Sequence, residues 1–133
     1  GGFAMNIPED LRYTKSHEWA RDAGAYVEVG ISDFAQHQLS DVTYVDLPEI
    51  GRHVNAGEEV AVVESIKAAS DIYAPVSGVV AEVNPALSEK PEAVNSDPYG
   101  EGWMLRITPD AGGGEFNKLL SAGEYAGICE AGH

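Results

Sequence analysis

Apolar and polar residues alternate along much of this chain, the period-two pattern of strands with one face buried. Y-V-E-V-G-I (26–31) and V-T-Y-V-D-L (42–47) follow it and predict two half-buried strands. Valine-rich stretches at 59–64 and 78–83, and W-M-L-R-I at 103–107, predict three more. Between the first two, S-D-F-A-Q-H-Q-L (32–39) breaks the alternation. Ser32 is placed to cap a short helix there, with Asp33 in the first turn against the positive end of the helix dipole and Phe34 and Gln38 on one face. One helical turn is expected at 8–11, and a short helix or proline-punctuated loop at 85–95. The A-G-G-G run at 111–114 ends the β region. After it, Phe116, Leu119, Leu120, Tyr125 and Ile128 predict one or two small helices packed on the sheet edge.

The valine-rich stretches share a weak internal echo, G-E-E-V-A-V-V-E (57–64) and S-G-V-V-A-E-V (77–83), which enter a strand after a glycine turn. Between them lies Lys67, the single lysine or arginine from 53 to 89. The echo suggests two similar β units joined by a hairpin whose tip exposes that lysine. Its neighbours Ala68 and Ala69 are small enough for another protein to approach the backbone, and Glu64 and Asp71 frame it without being adjacent. A lysine amine there is a suitable acceptor for acylation, which removes its charge and adds length. A solvated charge is the ordinary alternative, and spacing does not separate the two.

Composition narrows the classes. The 133 residues carry 22 acids against 8 bases, a net charge of −14, so a nucleic acid or an anionic membrane is disfavoured as a partner. A chain of this length suits one domain, expected over 6–133 after a leader at 1–5 that reads as vector-derived or disordered. The one cysteine, Cys129, excludes an internal disulfide framework and fits a reducing compartment. No nucleophile–base set, phosphate loop or histidine–cysteine metal spacing is present. The reading is therefore of no metal, no catalytic residues of its own and no enzyme, which leaves open a carrier whose chemistry lies in an attached group.

The segments Y-T-K-S-H-E-W-A (13–20), V-G-I-S-D-F-A-Q-H-Q-L-S-D (29–41), Y-V-D-L-P-E-I-G (44–51), V-V-E-S-I-K-A-A-S-D-I-Y-A-P-V-S-G (62–78) and N-S-D-P-Y-G-E-G-W (95–103) occur in this order. With them the chain resembles, from Pro8 to about Tyr125, the lipoyl-carrying H proteins of the glycine cleavage system. E-S-I-K-A matches the family's E-S-[VI]-K-A, whose lysine carries lipoate in amide linkage. Lipoyl domains of 2-oxo acid dehydrogenases typically show D-K-A at this turn and biotin carriers M-K-M. Neither has the H-E-W or D-P-Y-G-E-G-W segments. A glycine-rich C-terminus, and Ala69 or a neighbour where the family usually has a bulkier residue, depart from the pattern without touching the attachment motif.

The resemblance implies a mainly β fold, a lipoyl/biotinyl barrel-sandwich hybrid of two antiparallel sheets with short flanking helices and a C-terminal helix. It implies covalent lipoate on Lys67, with Ser65 and Ala68 completing the attachment motif and Glu64 read by the lipoate-attaching enzyme. It also implies that the arm carries the aminomethyl group of glycine from a pyridoxal-phosphate glycine decarboxylase (P protein) to an aminomethyltransferase (T protein). Dihydrolipoyl dehydrogenase (L protein) then reoxidises the arm. A cleft of the carrier shelters the loaded arm, and matching positions put Glu18, Ser70 and Asp71 beside the cationic cargo. Trp19 and Trp103 are assigned to packing, Gly78 and Gly100 to turns. A bacterial cytoplasm is expected, or a mitochondrial matrix in a eukaryote. A relay passing lipoate to other enzymes, or an unmodified β-rich interaction domain, are the readings it competes with.

Overall fold

The computed structural model describes residues 4–112 and 114–132. Among the described residues nine strands run in chain order: β1 (Arg12–Tyr13), β2 (Glu18–Asp22), β3 (Val27–Ile31), β4 (Val42–Asp46), β5 (His53–Val54), β6 (Glu59–Ser65), β7 (Ala69–Tyr73), β8 (Gly78–Val83) and β9 (Leu105–Pro109). Helix α1 (Asp33–Leu39) separates β3 from β4, α2 (Ala93–Ser96) precedes β9, and α3 (Ala122–Glu130) follows the sheets. Short 3₁₀ turns occupy Pro85–Ser88 and Phe116–Lys118.

The strands form two wholly antiparallel sheets, one ordered β1-β2-β3-β9-β8-β5 and one ordered β4-β6-β7. This is the mainly β, two-sheet arrangement with short flanking helices that the resemblance implied. The inward residues of both sheets merge into one core, which includes Val29, Val54, Val63, Val80, Met104, Leu105 and Ile107. A second cluster of Leu11, Tyr13, Trp19, Tyr125 and Cys129 fixes α3 to β1 and β2. Trp19 is fully buried, its indole N–H donating to the Pro98 carbonyl at 2.9 Å. Burial holds the Cys129 thiol above its ordinary pKa, as suits a packing residue.

Several expectations need correction. The hairpin bearing Lys67 pairs β6 with β7, Glu64 opposite Ala69, whereas the valine-rich β8 lies in the other sheet between β5 and β9. The echo therefore marks two strands of opposed sheets. Strand β7 carries no alternation that predicts it, because A-S-D-I-Y buries only Ile72. Strands β1, β2 and β5 were also missed; two of them have only two residues. Residues 8–11 make a turn and no helix. The Pro8 carbonyl accepts from the Tyr13 hydroxyl at 2.7 Å, and so short a segment gains too few bonds to nucleate a helix. The strand expected at 103–107 begins at Leu105, leaving Trp103 outside it under the Arg106 guanidinium, 3.9 Å from the ring centre.

Gly78 opens β8 and occupies no turn. A β-carbon there would run into the Thr108 carbonyl, so close strand approach requires the glycine. Gly100 does sit in a turn. The 85–95 segment contains both a 3₁₀ turn and the start of α2. Of the leader, residues 1–3 lie outside the described residues, while Met5 packs against the second cluster. Gly113 of the A-G-G-G run also lies outside them.

Candidate functional site

The tip of the β6–β7 hairpin is built by Ser65. Its hydroxyl donates to the Ala68 carbonyl at 3.0 Å and accepts the N–H groups of Lys67 (3.2 Å) and Ala68 (3.0 Å), while its own N–H bonds the same carbonyl at 2.8 Å. One short side chain thus closes the turn that a serine hydroxyl favours. Ile66 and Lys67 are thrown outward, Ile66 being 70% exposed. Two bonds fasten the tip to the α1–β4 connection. Ile66 N–H donates to the Asp41 carbonyl at 3.0 Å, and the Lys67 ammonium to the Gln38 carbonyl at 3.4 Å. Gln38 belongs to the last turn of α1, where the helix dipole favours a cation. Among the described residues no carboxylate forms an ion pair with Lys67. Glu64 is exposed, opposite Tyr44 and Ala69.

Beside the tip opens a groove of about 250 Å³, with Ser16, His17, Phe34, Gln38, Ser70 and Ile72 among its walls. Gln38 therefore both lines the groove and receives the lysine. The helix face predicted to carry Phe34 and Gln38 forms one wall, because Ser32 caps α1 by accepting the Ala35 N–H at 3.1 Å. Ser70 and Ile72 come from β7, whose alternation sends Asp71 to the opposite, exposed face.

Glu18 is fully buried. Its Oε1 accepts the hydroxyls of Thr14 and Ser16, the latter at 2.6 Å, and its Oε2 accepts the Tyr73 N–H at 3.2 Å. Ser16 lines the groove, so the carboxyl stands one hydrogen bond behind the wall and ties β2 to β7. Burial raises its pKa above the ordinary 4.5, against the lowering effect of those hydrogen bonds. The expected trio is divided: Ser70 on the wall, Glu18 behind it, Asp71 on the other face.

His17 is a groove residue that sequence reasoning passed over. It holds φ at +78°, a strained value for a non-glycine residue. Its Nδ1 is 2.7 Å from the Tyr125 hydroxyl and its ring stacks on Phe34 with centroids 4.8 Å apart. The same hydroxyl lies 2.6 Å from Ser32 Oγ, and the Tyr125 ring stacks on Tyr13 at 4.5 Å. Burial keeps that phenol protonated well beyond its usual range. The C-terminal helix, the cap of α1 and the groove wall thus meet at one hydroxyl. Only the place of His17 within H-E-W hinted at this.

The described residues contain no cluster suited to a metal, and no helix long and apolar enough to cross a membrane. A family model described as glycine cleavage H-protein matches residues 11–132. A glycine cleavage system H protein of Thermus thermophilus is 58% identical over 127 residues, covering 96% of this chain and 98% of that protein. The one from Anaeromyxobacter sp. strain K is 53% identical over 126 residues, covering 95% and 98%. Among solved structures, a glycine cleavage system H protein from Mycobacterium marinum matches with a TM-score of 0.82 at 42% identity, covering 96% of this chain and all of that one. The chain belongs to the glycine cleavage H-protein family.

Proposed function

We propose that Lys67 carries lipoate in amide linkage and that the protein is the non-catalytic carrier of the glycine cleavage system. It takes the aminomethyl group of glycine from the pyridoxal-phosphate glycine decarboxylase and delivers it to the aminomethyltransferase. Dihydrolipoyl dehydrogenase then restores it. Lipoate, when attached, supplies the dithiolane that accepts and releases the group. The observation that carries the proposal is the placement of an exposed lysine, without an ion-pair partner among the described residues, at the edge of a groove on the same molecule. The chemistry of the residues fits the group: the amine is reachable, Ala68 and Ala69 leave room, and amide formation costs no salt bridge.

The chain's own residues have simple tasks in this reading. Ser65 holds the turn open for the attaching enzyme, and Ala68 completes the motif it reads, with Glu64 exposed beside it. Phe34 and Ile72 make the groove wall apolar and keep water from the cargo, while Ser70 offers a hydroxyl at that wall. Glu18 contributes negative potential from behind Ser16, where low dielectric makes a carboxylate count for more than it does in water. Asp71 acts from the outer face, as part of the acidic surface presented to partner enzymes. The bacterial relatives support a cytoplasmic setting.

Intact mass after co-expression with a lipoate ligase tests the proposal. The wild-type chain is expected to gain one lipoyl group and Lys67→Arg to gain none. A wild-type chain that stays unmodified under those conditions refutes it.

A further inference from the structure

Asn95 belongs to α2, yet all the hydrogen bonds of its side chain go to another segment. Its Nδ2 donates to the Ser40 carbonyl at 2.8 Å and to Gln36 Oε1 at 3.0 Å, and its Oδ1 accepts the Val42 N–H at 2.8 Å. Both donor hydrogens of the carboxamide are used, and its oxygen as well. Ser40 and Val42 bracket Asp41, whose carbonyl accepts the Ile66 N–H one residue before Lys67. The second tie of the tip, from the Lys67 ammonium, ends at Gln38 of the same segment. Both ties made by Ile66 and Lys67 therefore land within 38–41, next to the Val42–Ser65 pair of the β4–β6 ladder. That segment does not hold its shape unaided, since Ser40 has φ +64° and ψ −154°, which a serine adopts only when its surroundings impose it.

We infer that Asn95 is a positioning residue for acylation. By clamping the residues on either side of Asp41, it sets where the Lys67 tip stands relative to α1 and the groove. This rests on Lys67 being the acylated residue, although the geometric part stands without it. A merely structural Asn95 would lower the stability of the whole fold and move every buried amide together. A positioning Asn95 acts on the tip.

The test gives full-length wild-type and Asn95→Ala chains to a lipoate ligase with lipoate and ATP, following acylation by mass across carrier concentrations. Amide hydrogen exchange is measured on the unmodified proteins in parallel. The expected result is a KM for the carrier raised roughly fivefold, the weight of about one hydrogen bond, with kcat little changed. The Ile66 amide is expected to exchange roughly tenfold faster while those of Val29 and Ile107 keep their rates. Asn95→Asp keeps the acceptor for Val42 but turns a carboxylate on two oxygens, and should give the same pattern. An unaltered Ile66 amide, an acceleration shared equally by the core amides, or an unaltered KM overturns the inference. Should Asn95→Ala fail to fold, Asn95→Asp, which loses the bond to the Ser40 carbonyl and keeps the one from Val42, is read alone in the same way. Absence of acylation in the wild type overturns the Lys67 reading instead, and the Ile66 amide then decides alone.

Discussion

Glu18 loses its hydration on folding and regains three hydrogen bonds, two from hydroxyls and one from the Tyr73 backbone. Because burial raises its pKa, the folded state holds the proton more tightly than the unfolded chain does. The stability this contributes is complete below the unfolded value near 4.5 and is lost as pH rises through the folded one. Glu18→Gln cannot titrate, so the difference in unfolding free energy between wild type and variant should shrink steadily as pH climbs from 4.5 towards neutrality. Urea titrations at a series of pH values measure it, and a difference independent of pH would show that the buried carboxyl is not protonated more readily than usual. The amide keeps its oxygen for the Tyr73 N–H and turns its N–H₂ to the Thr14 and Ser16 hydroxyls, which must then accept, a constant cost of about 1 kcal/mol. The H-E-W segment singled Glu18 out only through the resemblance, and nothing in the sequence showed its burial. An acid between His17 and Trp19 reads as facing water, and the Thr14 and Ser16 hydroxyls with the Tyr73 N–H make the inward choice tolerable.

At the scale of elements, β2 and β3 pack through Trp19 and Gly30, which are directly paired. The indole fills the space a side chain at 30 would occupy, with its atoms 2.6 Å from an ideal β-carbon. Both the ring and the strand backbone are locked, the ring by its bond to Pro98. Gly30→Ala should therefore cost about 1–3 kcal/mol, as overpacking does, visible as a lowered urea midpoint with unchanged slope; an unaffected midpoint would mean that the indole yields freely. The existence of β3 and β4 was readable from alternation and that of β6 from its valines, as was the serine-capped α1. But β3 is buried along its whole length rather than on one face, Glu28 being held by Arg21 and Arg106. The pairing of these strands was not readable. Sequence proximity and valine content favoured β6 with β8, whereas Ala69, Ser70 and Asp71 make the true partner β7 look like part of a loop. An edge strand with one buried residue carries too little periodicity to register. The groove was illegible for the same reason, since its walls come from the 14–17 turn, α1 and β7, which meet only in the folded molecule.

The whole molecule bears a charge of −14, and part of it lies on the outer face of the smaller sheet. Asp46, Glu64 and Asp71 are exposed there with Tyr44, next to the lysine tip. Such a face attracts basic partner surfaces over roughly a Debye length and speeds encounter more than it tightens the complex. The kcat/KM of a partner enzyme for the lipoylated carrier should fall by about tenfold between low salt and roughly 0.5 M, through the association step. Stopped-flow rates across ionic strength check this, and insensitivity to salt would assign recognition to the apolar Ile66 tip. The clamp from α2 also has a consequence for how the protein comes into being. Synthesis from the N-terminus delivers α1, β6 and β7, and with them the whole lysine hairpin, before Asn95 has been made. Tyr125, which joins α3 to the groove wall, emerges later still. A nascent chain thus presents its lysine before the parts that fix its place exist. If Lys67 is acylated as proposed, attachment that depends on a seated tip waits for a finished molecule, and fragments stalled on the ribosome are spared a cofactor they have no use for.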